Sequence, residues 1–216
     1  MPLSLKPATA ALPIAVALPI AVALAAAVTL AVGCDGETAE SPKPRAFPRV
    51  EYPTASAEVP FRLEVCPFTF AHPDYITVER DTLFFDDAPA DPCWFDLVTP
   101  ALNGRVHVSY YPIRSEEEFE GYRDDAYELV GKHNVVATYI DEQPIERPEA
   151  DVYGYSFAVE GDAASPYQLF VTDSTRHFIR AAVYVNAEAR ADSLAPVYDF
   201  LQRDLERVVE GLEWRG

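Results

Sequence analysis

The chain has 216 residues, 49% hydrophobic and 12% aromatic, enough to bury one sizeable core. It carries 17 basic against 35 acidic residues, a net charge of −18, with lysine only at Lys6, Lys43 and Lys132. A surface this acidic repels phosphate backbones, which sets nucleic acid aside as a partner.

From Ala8 to Val32 the sequence is an apolar run ending in Leu30-Ala31-Val32-Gly33-Cys34. It reads as a lipoprotein signal, in which a small residue precedes a cysteine that is freed by cleavage and acylated. Lys6 is the only charge before Cys34, as a short positive leader requires. An uncleaved membrane helix is the alternative, since about 20 apolar residues span a bilayer. Pro13 and Pro19 disturb that helix. A soluble secreted form is the third reading, and all three place the rest of the chain outside the cytoplasm. The expected layout is a signal peptide over 1–33, lipidated Cys34 with a Pro-rich tether over 34–60, and a single α+β domain over 61–216.

With Lys6 removed, 16 basic and 35 acidic residues remain, a net of −19. The acids are scattered rather than gathered in a tail, a pattern suited to high salt, where self-repulsion is screened. An ordinary acidic extracytoplasmic domain is the competing reading. With Cys34 acylated, Cys66 and Cys93 are the only cysteines left, an even pair in an oxidising compartment. A bridge between them closes a loop of roughly 28 residues, worth about 3–4 kcal/mol. The rival, a reactive thiol, lacks a neighbouring base at either position.

Pro42, Pro44, Pro48, Pro53 and Pro60 deny residues 35–60 a helix or a central strand and predict a semi-extended tether. Phe61 to Val65 alternates as a half-buried strand does, and Tyr75 to Val78 is a shorter strand. Trp94 to Val98 and Arg105 to Tyr111 are predicted strands, joined through Asn103-Gly104, where both residues tolerate positive φ. Ser115, with Glu118 three residues on, forms a capping box for a helix whose apolar face holds Phe119, Tyr122, Ala126, Leu129 and Val130. Lys132 and His133 close its negative end.

Val135 to Ile140 is a β-branched strand, and Gln143 to Ala150, with Pro144 and Pro148, an exposed connection. Tyr153 to Glu160, Tyr167 to Thr172 and His177 to Val185 are strands, the last two joined by the turn Asp173-Ser174-Thr175. Ser193 is expected to cap a final helix, apolar at Leu194, Val197, Leu201, Leu205, Val208 and Leu212. Strands grouped around two helices, without alternating crossovers, predict an α+β fold: an antiparallel sheet with both helices packed on it.

Chemistry is sparse. His72, His107, His133 and His177 are far apart, and no metal-ligand spacing occurs, so no metal or cofactor is expected. Asp173, Ser174 and His177 invite a triad reading, yet residues this close around a hairpin rarely align as nucleophile, base and orienter. Asp86-Asp87 and Asp124-Asp125 carry little weight in so acidic a chain, and calcium at the Asp86–Asp91 loop lacks the EF-hand pattern. Trp94 and Phe95 read as core beside a disulfide.

Several blocks together resemble a known family: Cys66 to Phe70, Cys93 to Leu97, His107 to Tyr110, Gly161 to Pro166, Thr172 to Arg180, and Asp192 to Val197. Pro42-Lys43-Pro44-Arg45 adds to them, and the order runs from Cys34 to Trp214. They resemble the gliding motility lipoprotein GldD family of Bacteroidota. That resemblance implies a lipoprotein with no assigned enzymatic activity, needed for surface gliding and type IX secretion, with other envelope proteins of that machinery as partners. The ordering of strands and helices is also similar to the PsbP/Mog1-like arrangement.

The expected function is therefore non-catalytic, with Ser165, Pro166, Asp173, Ser174, Arg176 and Arg180 as the candidate partner surface. An envelope hydrolase would use Ser174 or Asp173 with His177. A lipid- or glycan-binding lipoprotein would hold a pocket under the sheet near Trp94, Phe95 and Tyr110.

Overall fold

The computed structural model describes residues 49–80, 89–188 and 190–215. The predicted signal, Cys34, the tether up to residue 48, and Asp86-Asp87 lie outside them.

Seven antiparallel strands form one sheet: β3 (Thr77–Arg80), β4 (Phe95–Thr99), β5 (Gly104–Pro112), β6 (Ala137–Arg147), β7 (Val152–Gly161), β8 (Tyr167–Thr172) and β9 (His177–Val185). Their spatial order is β3-β4-β5-β9-β8-β7-β6. A second sheet, ordered β1-β2-β10, joins β1 (Glu58–Phe61), β2 (Phe68–Pro73) and β10 (Glu213–Trp214). Two α-helices, α1 (Glu116–Gly131) and α2 (Ala191–Glu210), complete the α+β fold.

Alternate residues of a strand face opposite sides, and the large sheet uses both. One face sets Leu97, Val106, Val108, Ile179, Ala181 and Val183 against α2 and against Phe61, Phe68 and Phe70 of the small sheet. The other packs Phe157, Phe170 and Phe178 under Ala126 and Val130 of α1. The α2 stripe behaves as its spacing predicts, with Val197, Leu201, Leu205 and Val208 all buried. Gly104 lies beneath it. A Cβ there would meet Leu201 Cδ1 at 2.6 Å. Space, not positive φ, is why this position is glycine; Asn103 alone of the pair is left-handed, at φ 52°.

Ser115 caps α1 as expected, its Oγ accepting the Glu118 N–H at 3.2 Å. The return bond of the box goes one residue earlier, from Arg114 N–H to Glu118 Oε2 at 2.8 Å. Cys66 and Cys93 form a disulfide, with Cα atoms 5.5 Å apart and both residues buried.

Several elements depart from expectation. The first strand lies at Glu58–Phe61 rather than Phe61–Val65, because Cys66 N–H bonds back to Leu63 C=O and turns the chain. Pro60 sits within that strand, which is permitted because β1 is an edge. Val50 packs on the core and the Tyr52 ring lies tilted against Phe200, centroids 5.1 Å apart, so residues near 50 rest on the domain. The stretch from Gln143, expected as a connection, continues β6 to Arg147. Pro144 is tolerated there for the same reason: β6 is the other sheet's edge. Ser193 does not cap α2. Ser193 and Leu194 N–H both bond Arg190 C=O at 3.0 Å, so the helix opens before it.

Candidate functional site: the β8–β9 turn and its surroundings

The Asp173–Arg176 turn is built by its own side chains. Asp173 Oδ1 accepts three backbone N–H groups, from Thr175 (3.0 Å), Arg176 (2.7 Å) and His177 (2.9 Å). Thr172 Oγ1 accepts the Ser174 N–H at 2.8 Å and donates to His177 C=O at 2.6 Å. Ser174 is thereby held at φ 66°, a left-handed position. Burial pushes the Asp173 carboxyl up, but the three N–H bonds outweigh it and hold it below the usual carboxylate range.

His177 points the other way, into the core. Its Nδ1 meets the Tyr110 hydroxyl at 2.9 Å and its ring stacks on Trp214 at 5.1 Å. Its Nε2 is buried and without a hydrogen-bond partner among the described residues. Burial pulls its pKa below the ordinary value, only partly offset by Asp173, so the imidazole is neutral at pH 7. Burial likewise pushes the Tyr110 hydroxyl up to about 12. Asp173, Ser174 and His177 are adjacent, then, but each is engaged elsewhere: a turn acceptor, a left-handed corner and a core ring.

Around the turn the structure forms a shallow recess of about 450 Å³, lined by Arg147, Asp151, Asp173, Arg176, Glu213 and Trp214. Asp151, left-handed at φ 52°, offers its C=O to Trp214 Nε1 at 3.0 Å. Arg147 donates to the Val209 and Leu212 carbonyls at 2.7 and 3.1 Å, which ties β6 to the end of α2. Arg176 remains 60% exposed at its side chain, with Nε 3.6 Å from Asp173 Oδ2.

The six residues expected as one surface occupy three places. Asp173, Ser174 and Arg176 share the turn. Ser165 is fully buried, its Oγ directed at Tyr167 C=O (3.5 Å), and Pro166 C=O accepts Val159 N–H at 2.7 Å, so this pair shapes the β7–β8 connection. Arg180 stands mid-strand on the α1 face, donating to Gln168 Oε1 at 3.1 Å.

Sequence reading missed one polar cluster. Asp96, directly opposite His107 in the β4–β5 register, is buried and hydrogen-bonded to both His107 Nδ1 and Arg105. An acid inside an otherwise apolar strand was the available signal. Tyr110, expected to line a pocket with Trp94 and Phe95, sits in the α2-side core, and Trp94 Nε1 donates to its carbonyl at 2.9 Å. Among the described residues, no three His, Cys, Asp or Glu side chains gather as a metal site, and no helix is long and apolar enough to cross a membrane.

No curated protein sequence matches the chain. Among solved structures, the solution structure of cyanobacterial PsbP (CyanoP) from Synechocystis sp. PCC 6803 is similar at 9% identity and a TM-score of 0.39, over 74% of this chain and 94% of that one. Residues 37–214 match the gliding motility lipoprotein GldD family, a span that takes in every described strand and helix from β1 to β10. By that match the chain belongs to the GldD family: a lipoprotein, membrane-anchored in the cell envelope and involved in gliding motility.

Proposed function

We propose that the protein is a non-catalytic, lipid-tethered component of the gliding and type IX secretion machinery, holding an envelope partner rather than transforming a substrate. The observation that carries this reading is the family match over residues 37–214. In this reading Cys34 bears the lipid after removal of residues 1–33, and the Pro-rich segment after it holds the domain off the membrane, facing the periplasm or the exterior. The engagement of Asp173 by backbone N–H groups and the burial of His177 support contact over chemistry. The docking face would be the recess beside the β8–β9 turn, where exposed Arg176 stands next to Trp214.

Deletion of the gene is expected to abolish surface spreading and deplete the secreted proteome. Ser174→Gly removes the hydroxyl that the hydrolase reading assigns as nucleophile, and glycine suits φ 66° better than serine does. It should restore both phenotypes; a folded but inactive Ser174→Gly protein would restore the hydrolase reading. Arg176→Glu should accumulate normally and fail to restore either phenotype, whereas full rescue would remove the turn as the partner face.

A further inference from the structure

The α1 face of the large sheet is covered over β7, β8 and part of β9, and open over β4 and β5. Two clefts of about 300 and 470 Å³ meet there, sharing Tyr111, Leu129 and Arg180 in their walls. Arg180 lies opposite Ser109 in the β5–β9 register, between the two. Its guanidinium donates to Gln168 Oε1 at 3.1 Å, and among the described residues no carboxylate forms an ion pair with it.

That isolation is unusual in a chain with 35 acids and 17 bases. Desolvation pulls the Arg180 pKa below the arginine range, a cost normally offset by a paired anion. Gln168 is 2% exposed and directs its carbonyl at Arg180, while its own Nε2 has no partner. The glutamine therefore fixes the guanidinium's orientation without neutralising it. The acid deepest in the cleft, Asp96, is already matched by Arg105 and His107. Two further acids, Asp125 and Glu128, are exposed on α1 at the rim of the smaller cleft. Lys132 on that rim is paired with Glu128 at 3.2 Å. Aromatic rings supply the walls: Tyr111 and Tyr122 lie 5.0 Å apart, with Phe178 and Tyr184 beside Arg180.

We propose that this cleft binds one carboxylate group carried on a small ring compound, with Arg180 as its anchor. A planar guanidinium matches a planar carboxylate through two parallel hydrogen bonds. A phosphate dianion would bring a second negative charge into a chain already at −18. The tyrosine and phenylalanine faces accept the ring, and the clefts are of small-molecule size. This site is separate from the β8–β9 turn, so its failure would leave the partner-docking reading untouched, and the reverse holds as well.

The test is calorimetric titration of the full chain, solubilised in a neutral maltoside detergent, with benzoate, glucuronate and benzamide. At least one acid is expected to saturate at about 1 mM, the range for a fragment of this size. Preference for benzoate identifies an apolar acid and preference for glucuronate a sugar acid; either supports the site. Benzamide, the neutral isostere of benzoate, should bind at least about tenfold more weakly, and Arg180→Met should lose about tenfold in affinity. Asp125→Asn, a helix-surface change that leaves the fold intact, should tighten binding by roughly threefold by removing a competing charge. Absence of saturation by either acid, equal binding of benzamide, or wild-type affinity in a folded Arg180→Met would overturn the proposal. If Arg180→Met does not fold, an unchanged affinity in Asp125→Asn is sufficient to overturn it.

Discussion

Asp173 concentrates more of the local architecture than any neighbouring residue, since one carboxylate oxygen holds three consecutive N–H groups in place. Its folded pKa is below the ordinary carboxylate value of 3.8. The stabilisation it provides is therefore fully present above that value and is lost as pH falls through the lower folded one. Asp173→Ala should cost about 2 kcal/mol at pH 7, the scale for hydrogen bonds to a charged group. In urea titrations the gap between variant and wild type should narrow as pH falls below 3.8 and through the lower folded value. A gap independent of pH would mean that the side chain acts by packing alone. The turn itself was legible from Asp173-Ser174-Thr175, because those residues make turns through their own side chains. The Asp96–His107 contact was not, because it depends on the β4–β5 register, which no local pattern encodes.

At the level of elements, legibility followed how local the determinant is. Strand β9 occupies His177–Val185 as predicted, and α1 starts after Ser115, because alternation and capping are written in adjacent residues. The small sheet was illegible for the opposite reason: β2 pairs Thr69 with Glu213 and Phe68 with Trp214, partners from far along the chain. Edge position, invisible in sequence, also decided where Pro60 and Pro144 are admitted to strands. The disulfide lies where these elements meet, joining the turn before β2 to the residue just ahead of Trp94 and β4 across a separation of 27. Replacing both cysteines with serine should lower unfolding free energy by about 3 kcal/mol, measured by urea denaturation of the oxidised protein against the variant. A loss well under 1 kcal/mol would indicate that the stacked Phe61, Phe70 and Phe95 rings already fix this junction.

Across the whole molecule, charge and closure are the governing features. With a net charge of −18, self-repulsion opposes the compact state, and screening should relieve it. The melting temperature is expected to rise between about 0.1 and 2 M NaCl, where the Debye length falls from about 10 to under 3 Å. A flat titration would mean that scattered acids carry no net penalty. Closure is set by β10 and by Arg215, whose Nη2 donates to the carbonyls of Leu63, Cys66 and Phe68 at 2.7, 2.9 and 3.0 Å. The bond to Phe68 spans 147 positions. A chain made from its N-terminal end therefore delivers β2 long before the segment that seals it. During that interval β2 lacks its β10 neighbour and its aromatic residues lack their final cover. Synthesis thus passes through a half-closed domain until residues 213–215 arrive, and any cut upstream of Glu213 leaves β2 permanently without that neighbour.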